Sequence, residues 1–380
     1  MMVCRRTVWL MVGVVALTAL TTHDARADRV AIGNTAGGVS TFEGDPSNLS
    51  AGPGNCCFLG DGQITVEWLD FDNLAVGSHS AASPTSSDVS VRQPFNGFSV
   101  TRAIGGIGAP LNTLSSSLSG DAYYIGASNH QNTQVRGTTD GGLDACCSSG
   151  AAPLVDSVGR IPGGPGPDGR YAILTGDTGP TQLRRVAFNQ LQGQNAPHEA
   201  DIEVNLSGEE GGTSIALLSD GNLIVGKKGV DFSPEKGGVS RVNSETLVDM
   251  GGNCCHPDPV IDVDGDSQGR GIYITSGPVA NGELVRTDFA GGNAILAGGG
   301  LNSTASGEMT ALAVLSNDDI LVGFNNGDVK HFTSGGSLTG IIGNVGAAVN
   351  SISVVVPEPA GGGLLLLGAA MAGARRIRRS

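Results

Sequence analysis

ALAVLSNDDILVGFNNGDVKHFTSGGSLTGII, residues 311–342, decides the fold. Four short apolar runs are separated by Asn317-Asp318-Asp319, Asn325-Asn326-Gly327 and Thr333–Ser337. Apolar runs bounded by Asn, Asp, Gly and Ser read as strands joined by tight turns. The stretch therefore predicts four consecutive strands: Ala311–Leu315, Ile320–Phe324, Asp328–Phe332 and Leu338–Ile342. The second contains Ile320-Leu321-Val322, a run suited to burial on both faces.

Working outward, the same unit recurs. SIALLSDGNLIVGKKG (residues 214–229) and GGVSRVN (237–243) repeat its first three strands. A glycine follows or ends a β-rich run at Gly33, Gly77, Gly126, Gly176, Gly226, Gly277 and Gly323, at spacings of 44, 49, 50, 50, 51 and 46 residues. We read these as turn glycines of seven units. A four-stranded unit of about 45 residues is the signature of a β-propeller blade. The first unit begins at Arg29-Val30-Ala31-Ile32, which matches a second strand and lacks an innermost one. The last is followed by Asn350–Val355, an innermost strand without a blade. Their pairing would close the ring and remove two open edges. The expected fold is all-β, a propeller of seven four-stranded blades closed by N- and C-terminal strands and flanked by terminal apolar helices. The blades are similar to NHL-like and lyase-like ones in architecture only, since no WD dipeptide or Kelch double glycine is present.

Composition agrees. Among 380 residues there are 61 glycines, with 15% charged and 4% aromatic, as expected for many short strands and tight turns. Asp61-Gly62, Asp220-Gly221 and Asn326-Gly327 are hairpin signals. The formal charge of −14 understates the domain's acidity, because seven of the 22 basic residues lie in the two terminal segments. Between them remain 15 basic and 34 acidic residues, a net −19. Such a surface excludes nucleic acid and anionic lipid as partners and favours divalent cations.

Both ends read as addresses. Met1-Met2-Val3-Cys4-Arg5-Arg6 precedes the apolar run VWLMVGVVALTAL and then Ala25-Arg26-Ala27. A basic start, apolar middle and small-x-small exit describe a secretory signal peptide, residues 1–27, with cleavage after Ala27. At the other end, residues 357–380, stand Pro357-Glu358-Pro359, fifteen small or apolar residues from Ala360 to Ala374, and then Arg375, Arg376, Ile377, Arg378 and Arg379. The prolines enforce an exposed extended segment. The apolar run is short for an independent span, which needs about 20 residues, and its arginines would stay cytoplasmic. In all three parts and in order this resembles the PEP-CTERM sorting signal. The resemblance implies a Gram-negative host, membrane contact before processing, cleavage by an exosortase, and association with exopolysaccharide or biofilm matrix. The protein is then exported through the inner membrane to the cell surface or matrix, with residues 28–356 as its working domain.

Six cysteines lie outside the leader, as the pairs Cys56-Cys57, Cys146-Cys147 and Cys254-Cys255. An even count in an exported chain favours disulfides. Their positions place them in units two, four and six, ahead of the innermost strand. Loops on alternate blades stand too far apart to bridge, which favours a bond within each pair, strained because adjacent Cα atoms are only about 3.8 Å apart. Asp262-Val263-Asp264-Gly265-Asp266 resembles the start of a calcium loop, with Asp262, Asp264 and Asp266 as ligands and calcium as the one cofactor considered. It departs from the EF-hand pattern at Gly265 and Tyr273, and from integrin-type propeller loops at Arg270. His79, His130, His198, His256 and His331 read as surface residues, and Glu67, Asp70 and Asp72 beside Trp68 as solvated. No GxSxG elbow, HExxH helix or phosphate-binding loop is present. One tryptophan, Trp68, and four tyrosines in the domain argue against a multivalent aromatic sugar platform. The expected role is therefore a non-enzymatic binding or structural component. A propeller enzyme of lyase or lactonase type, acting at the channel mouth, is the alternative.

Overall fold

The computed structural model describes residues 27–356, apart from 53–61, 81–86, 108–110, 121, 129–131, 139–142, 149–153, 165–168, 177–179, 188–201, 229–236, 278–281, 299–300 and 302–306. The signal peptide, the Pro357–Arg379 sorting signal and the expected terminal helices lie outside the described residues. Within them the chain is all-β, with one 3-10 turn at Pro94–Asn96.

The described strands form seven four-stranded antiparallel sheets, the blades of a β-propeller. Their innermost strands are Val349–Val355 (blade 1), Gly62–Trp68 (blade 2), Leu111–Ser116 (blade 3), Leu154–Ile161 (blade 4), Gly212–Leu217 (blade 5), Val260–Gly265 (blade 6) and Met309–Val314 (blade 7). Each neighbours the next, and the last neighbours the first, so the circuit is closed. In blade 7 the strands run Met309–Val314, Ile320–Phe324, Asp328–Phe332 and Leu338–Asn344, within two residues of the sequence reading at every boundary. The second strand is buried throughout, as its unbroken apolar run requires.

Blade 1 is built from both ends of the domain. Val349–Val355 lies antiparallel to Asp28–Asn34, with Val30 opposite Val354 and Ile32 opposite Ile352. The strands Val39–Asp45 and Asn48–Ala51 complete it. The core sits between blades. Val30, Ile32 and Phe42 of blade 1 pack with Ala311, Leu321 and Val329 of blade 7. On the other side Ala31, Val39 and Val355 pack with Ile64, Val66, Trp68 and Val76 of blade 2. Arg29 pins the seam further. Its guanidinium lies between the Phe71 and Phe95 rings, 3.7 and 3.9 Å from their centroids, and pairs with Glu43 and Asp72 at 3.0 Å each.

Five of the seven periodic glycines are not turn residues. Gly33, Gly77, Gly126, Gly226 and Gly323 lie inside the second strand of their blades, while Gly176, at φ 93°, directly follows it and Gly277 stands two residues beyond it. Close approach explains the first group. A Cβ on Gly33 would stand 2.4 Å from the Ile64 carbonyl oxygen, and one on Gly323 2.4 Å from Val349 Cγ1. In each case the obstacle is the innermost strand of the next blade. The period of about 50 thus marks where one blade is laid against its neighbour.

Candidate functional site

Innermost strands of all seven blades surround a central cavity of about 650 Å3. Its wall is mostly polar: Gln63, Thr65 and Glu67 of blade 2, Asn112 and Thr113 of blade 3, Asp156 of blade 4, Thr213 and Ser214 of blade 5, Asp262 and Asp264 of blade 6, and Asn350, Ser351 and Ser353 of blade 1.

These side chains bind the blades to one another. Val66 and Trp68 of blade 2 donate their backbone N–H groups to Ser351 and Ser353 of blade 1, each at 3.1 Å. Glu67 accepts the Ser116 hydroxyl of blade 3 at 2.7 Å and the Ser353 hydroxyl at 3.0 Å. Thr113 bonds Asp156 and Ser157 of blade 4. Asp156 accepts the Ile215 N–H of blade 5 at 2.9 Å. Ser214 reaches Asp262 of blade 6. Asp262 and Asp264 accept the Leu312 and Val314 N–H groups of blade 7 at 2.7 Å each. Ser316 beyond that strand donates to Asp28 of blade 1 at 2.8 Å. A hydrogen-bonded girdle thus crosses every blade junction. Inner strands of adjacent blades do not pair as a sheet, so side-chain acceptors satisfy the N–H groups that face across each gap.

One stretch of the girdle has special electrostatics. The Ser214 hydroxyl lies 2.6 Å from Asp262 Oδ1 and 3.1 Å from Asp156 Oδ2. A hydroxyl has one proton and cannot donate to two carboxylates at once. A second hydrogen bond at this hydroxyl would require a proton on one of the two carboxyls, which burial and their mutual repulsion favour. Burial pushes the Asp262 carboxyl up to about 7, with the Asp156 charge adding to the effect and hydrogen bonds from Ser214, Leu312 and Val263 opposing it. Burial raises Asp156 as well and pushes Asp264 up to about 6.

The Asp262, Asp264 and Asp266 set does not converge on a cation position. The first two face blade 7 as described. Asp266 instead caps its own turn, accepting the Gln268 and Arg270 N–H groups and pairing with the Arg270 guanidinium at 2.6 Å. Among the described residues no group of three or more His, Cys, Asp or Glu side chains gathers as metal ligands. The pair Cys56-Cys57 lies outside the described residues. Cys146-Cys147 and Cys254-Cys255 fall on the outermost strands of blades 3 and 5, closing the blade before the one expected; their side chains lie outside the described residues.

Two other expectations change. His256 and His331 are not surface residues: both are buried, His256 against Glu283 at 2.9 Å and His331 against Asp319 at 3.1 Å. Glu67 is a blade-to-blade acceptor rather than a solvated carboxylate, whereas Asp72 is exposed as expected while pairing with Arg29. Trp68 is fully buried and stacked on Phe95, with ring centroids 6.4 Å apart, and Tyr171 and Tyr273 are buried too. None of these three rings offers a face to a sugar. Asp156 was not singled out by the sequence. Its signal was there in the shared third position of Leu154-Val155-Asp156, Gly212-Thr213-Ser214, Val260-Ile261-Asp262 and Val349-Asn350-Ser351.

Neither a protein-family model nor a curated protein matches the chain. Solved structures match it in fold. Hydrazine synthase of Kuenenia stuttgartiensis superposes with a TM-score of 0.53 at 12% identity, covering 71% of this chain and 76% of its own. The β-propeller domain of Swd1 from Myceliophteria thermophila gives 0.53 at 12%, covering 74% and 86%. The computationally designed Ika8 protein gives 0.52 at 13%, covering 86% and 90%. At such identities the likeness is one of architecture alone, and propellers host unrelated functions.

Proposed function

We propose that the chain is an exported surface or extracellular-matrix protein of a Gram-negative bacterium, sorted and trimmed at its tail by an exosortase. Its seven-bladed ring serves there as a non-enzymatic binding or structural module for exopolysaccharide. One observation carries the non-enzymatic part. The channel acids Glu67, Asp156, Asp262 and Asp264 come from three blades, yet each already accepts hydrogen bonds from the neighbouring blade. A general acid or base needs a group free to reach a substrate proton. Carboxylates held as girdle acceptors lack that freedom. The net −19 of the domain favours a neutral or cationic polymer over an anionic one, and the buried aromatic rings favour a polar mode of contact.

The raised carboxyls in a polar channel also support a second reading, a lyase or lactonase acting at the channel mouth. One experiment separates the two. Purified residues 28–356 are incubated with neutral and cationic polysaccharides and with lactones, and both retention and products are followed. The binding reading expects polymer retention with no new reducing ends, unsaturated products or ring-opened acid. Turnover that disappears in Asp262→Asn would establish the enzyme instead.

A further inference from the structure

The seam between blades 7 and 1 contains a buried carboxylate that is only half satisfied. Asp28 opens the second strand of blade 1 and is 0% exposed. Its Oδ2 accepts the Ser316 N–H at 2.8 Å. Its Oδ1 is buried and has no hydrogen-bond partner. A buried carboxylate oxygen without a partner is costly. Burial raises this carboxyl; the Ser316 N–H and hydroxyl oppose that, and the Asp45 charge adds to it. The surroundings are thus acidic and short of a cation. Asp28 pairs in register with Gly44, next to Asp45 on the neighbouring strand.

The sequence sets the leader cleavage site immediately before this residue, between Ala27 and Asp28. We infer that leader removal completes the seam, because the new Asp28 α-ammonium becomes the partner of its own buried carboxylate and of Asp45. This rests on the export reading above. The step is a hydrolysis: water adds across the Ala27–Asp28 peptide bond, Ala27 departs with a carboxylate, and the Asp28 nitrogen takes a proton to become –NH3+. A neutral amide N–H is thereby replaced by a cation, a stronger donor beside carboxylates. Beside its own carboxylate, the other negative charge acting here is that of Asp45, an exposed carboxylate that accepts the Ser47 N–H. Arg29 beside them is already committed to Glu43, Asp72 and the two phenylalanine rings. Before cleavage the seam keeps its uncompensated oxygen, so the precursor closes its ring less firmly than the mature domain.

The test uses residues 28–356 in three forms: with a free Asp28 amine, released from a cleavable fusion; with that amine acetylated; and with Ala27 and two preceding residues retained. The free-amine form should melt higher than both others by about 3 °C or more. Asp28→Asn should remove most of that difference while keeping an acceptor for Ser316. Equal melting of the free and acetylated forms overturns the inference. N-terminal sequencing of the exported protein reads the export step separately. A start at Asp28 supports the cleavage, and any other start overturns the export reading at this site whatever the melting temperatures show.

Discussion

The burial of Asp262 beside Asp156 makes stability depend on pH in an unusual direction. Asp262 moves from an ordinary value of 3.8 to about 7 on folding. A carboxyl raised on folding stabilises fully below its unfolded value, and that contribution is lost as pH rises toward the folded one. Between the two limits it amounts to about 4 kcal/mol. The parent therefore loses this much from about pH 4 to about pH 8 through Asp262 alone. Asp264, pushed up to about 6, adds to the loss. Asp262→Asn removes the titration but keeps an amide that can bond Ser214 or Leu312. The variant starts weaker at low pH, since one backbone N–H loses its acceptor at a cost of about 1–3 kcal/mol. As pH rises it should overtake the parent. Urea unfolding at about pH 4.5 and about pH 8 measures this, with Trp68, fully buried and the domain's single tryptophan, as the fluorescent probe. A variant-to-parent difference that changes by less than about 1 kcal/mol between those pH values would refute the raised Asp262 carboxyl.

Further outcomes follow from the blade contacts. Gly323→Val should destabilise by about 2–3 kcal/mol or more, because its Cβ meets Val349 on the seam strand; the same substitution at half-buried Gly340, whose Cβ would meet nothing within 4 Å, should cost little. Arg29→Ala should cost about 2–3 kcal/mol in urea unfolding through loss of its ring contacts and ion pairs. A chain ending at Gly346 lacks the innermost strand of blade 1 and should show no cooperative unfolding transition by calorimetry, whereas one ending at Val356 should show a sharp one. Non-reduced peptide mass spectrometry should find each Cys-Cys step closed on itself; peptides cross-linking positions 56, 146 and 254 would contradict that.

The repeat was legible because every blade carries its own punctuation. Asn317–Asp319, Asn325–Gly327 and Thr333–Ser337 separate the strands of blade 7 within a few residues of their true ends. The closing strand was legible for the same reason: Asn350–Val355 is strand-like and has no blade of its own. Five of the periodic glycines were misread because a one-dimensional pattern does not distinguish a turn from a close approach. Gly33 is needed by Ile64, and Gly323 by Val349 across the chain ends. The girdle was hidden by the same limit. Glu67 reads from the sequence as a solvated carboxylate and Asp262 as a calcium ligand, and only closing the ring turns them onto a neighbour's donors. His331 and His256 were hidden too, since their partners Asp319 and Glu283 lie 12 and 27 residues away.

We propose that a ring complete at Val356 is carried to the cell exterior by a tail it does not need for folding. The most direct test compares the full chain with one ending at Pro357, expressed in a Gram-negative host that encodes an exosortase. Intact mass, location and melting temperature are read on both. The full chain should reach the surface or matrix beginning at Asp28 and shortened near Pro357-Glu358-Pro359. The truncated chain should melt at the same temperature but fail to arrive there. A full chain that keeps its Arg375–Arg379 end, or a truncated chain that sorts normally, would contradict it.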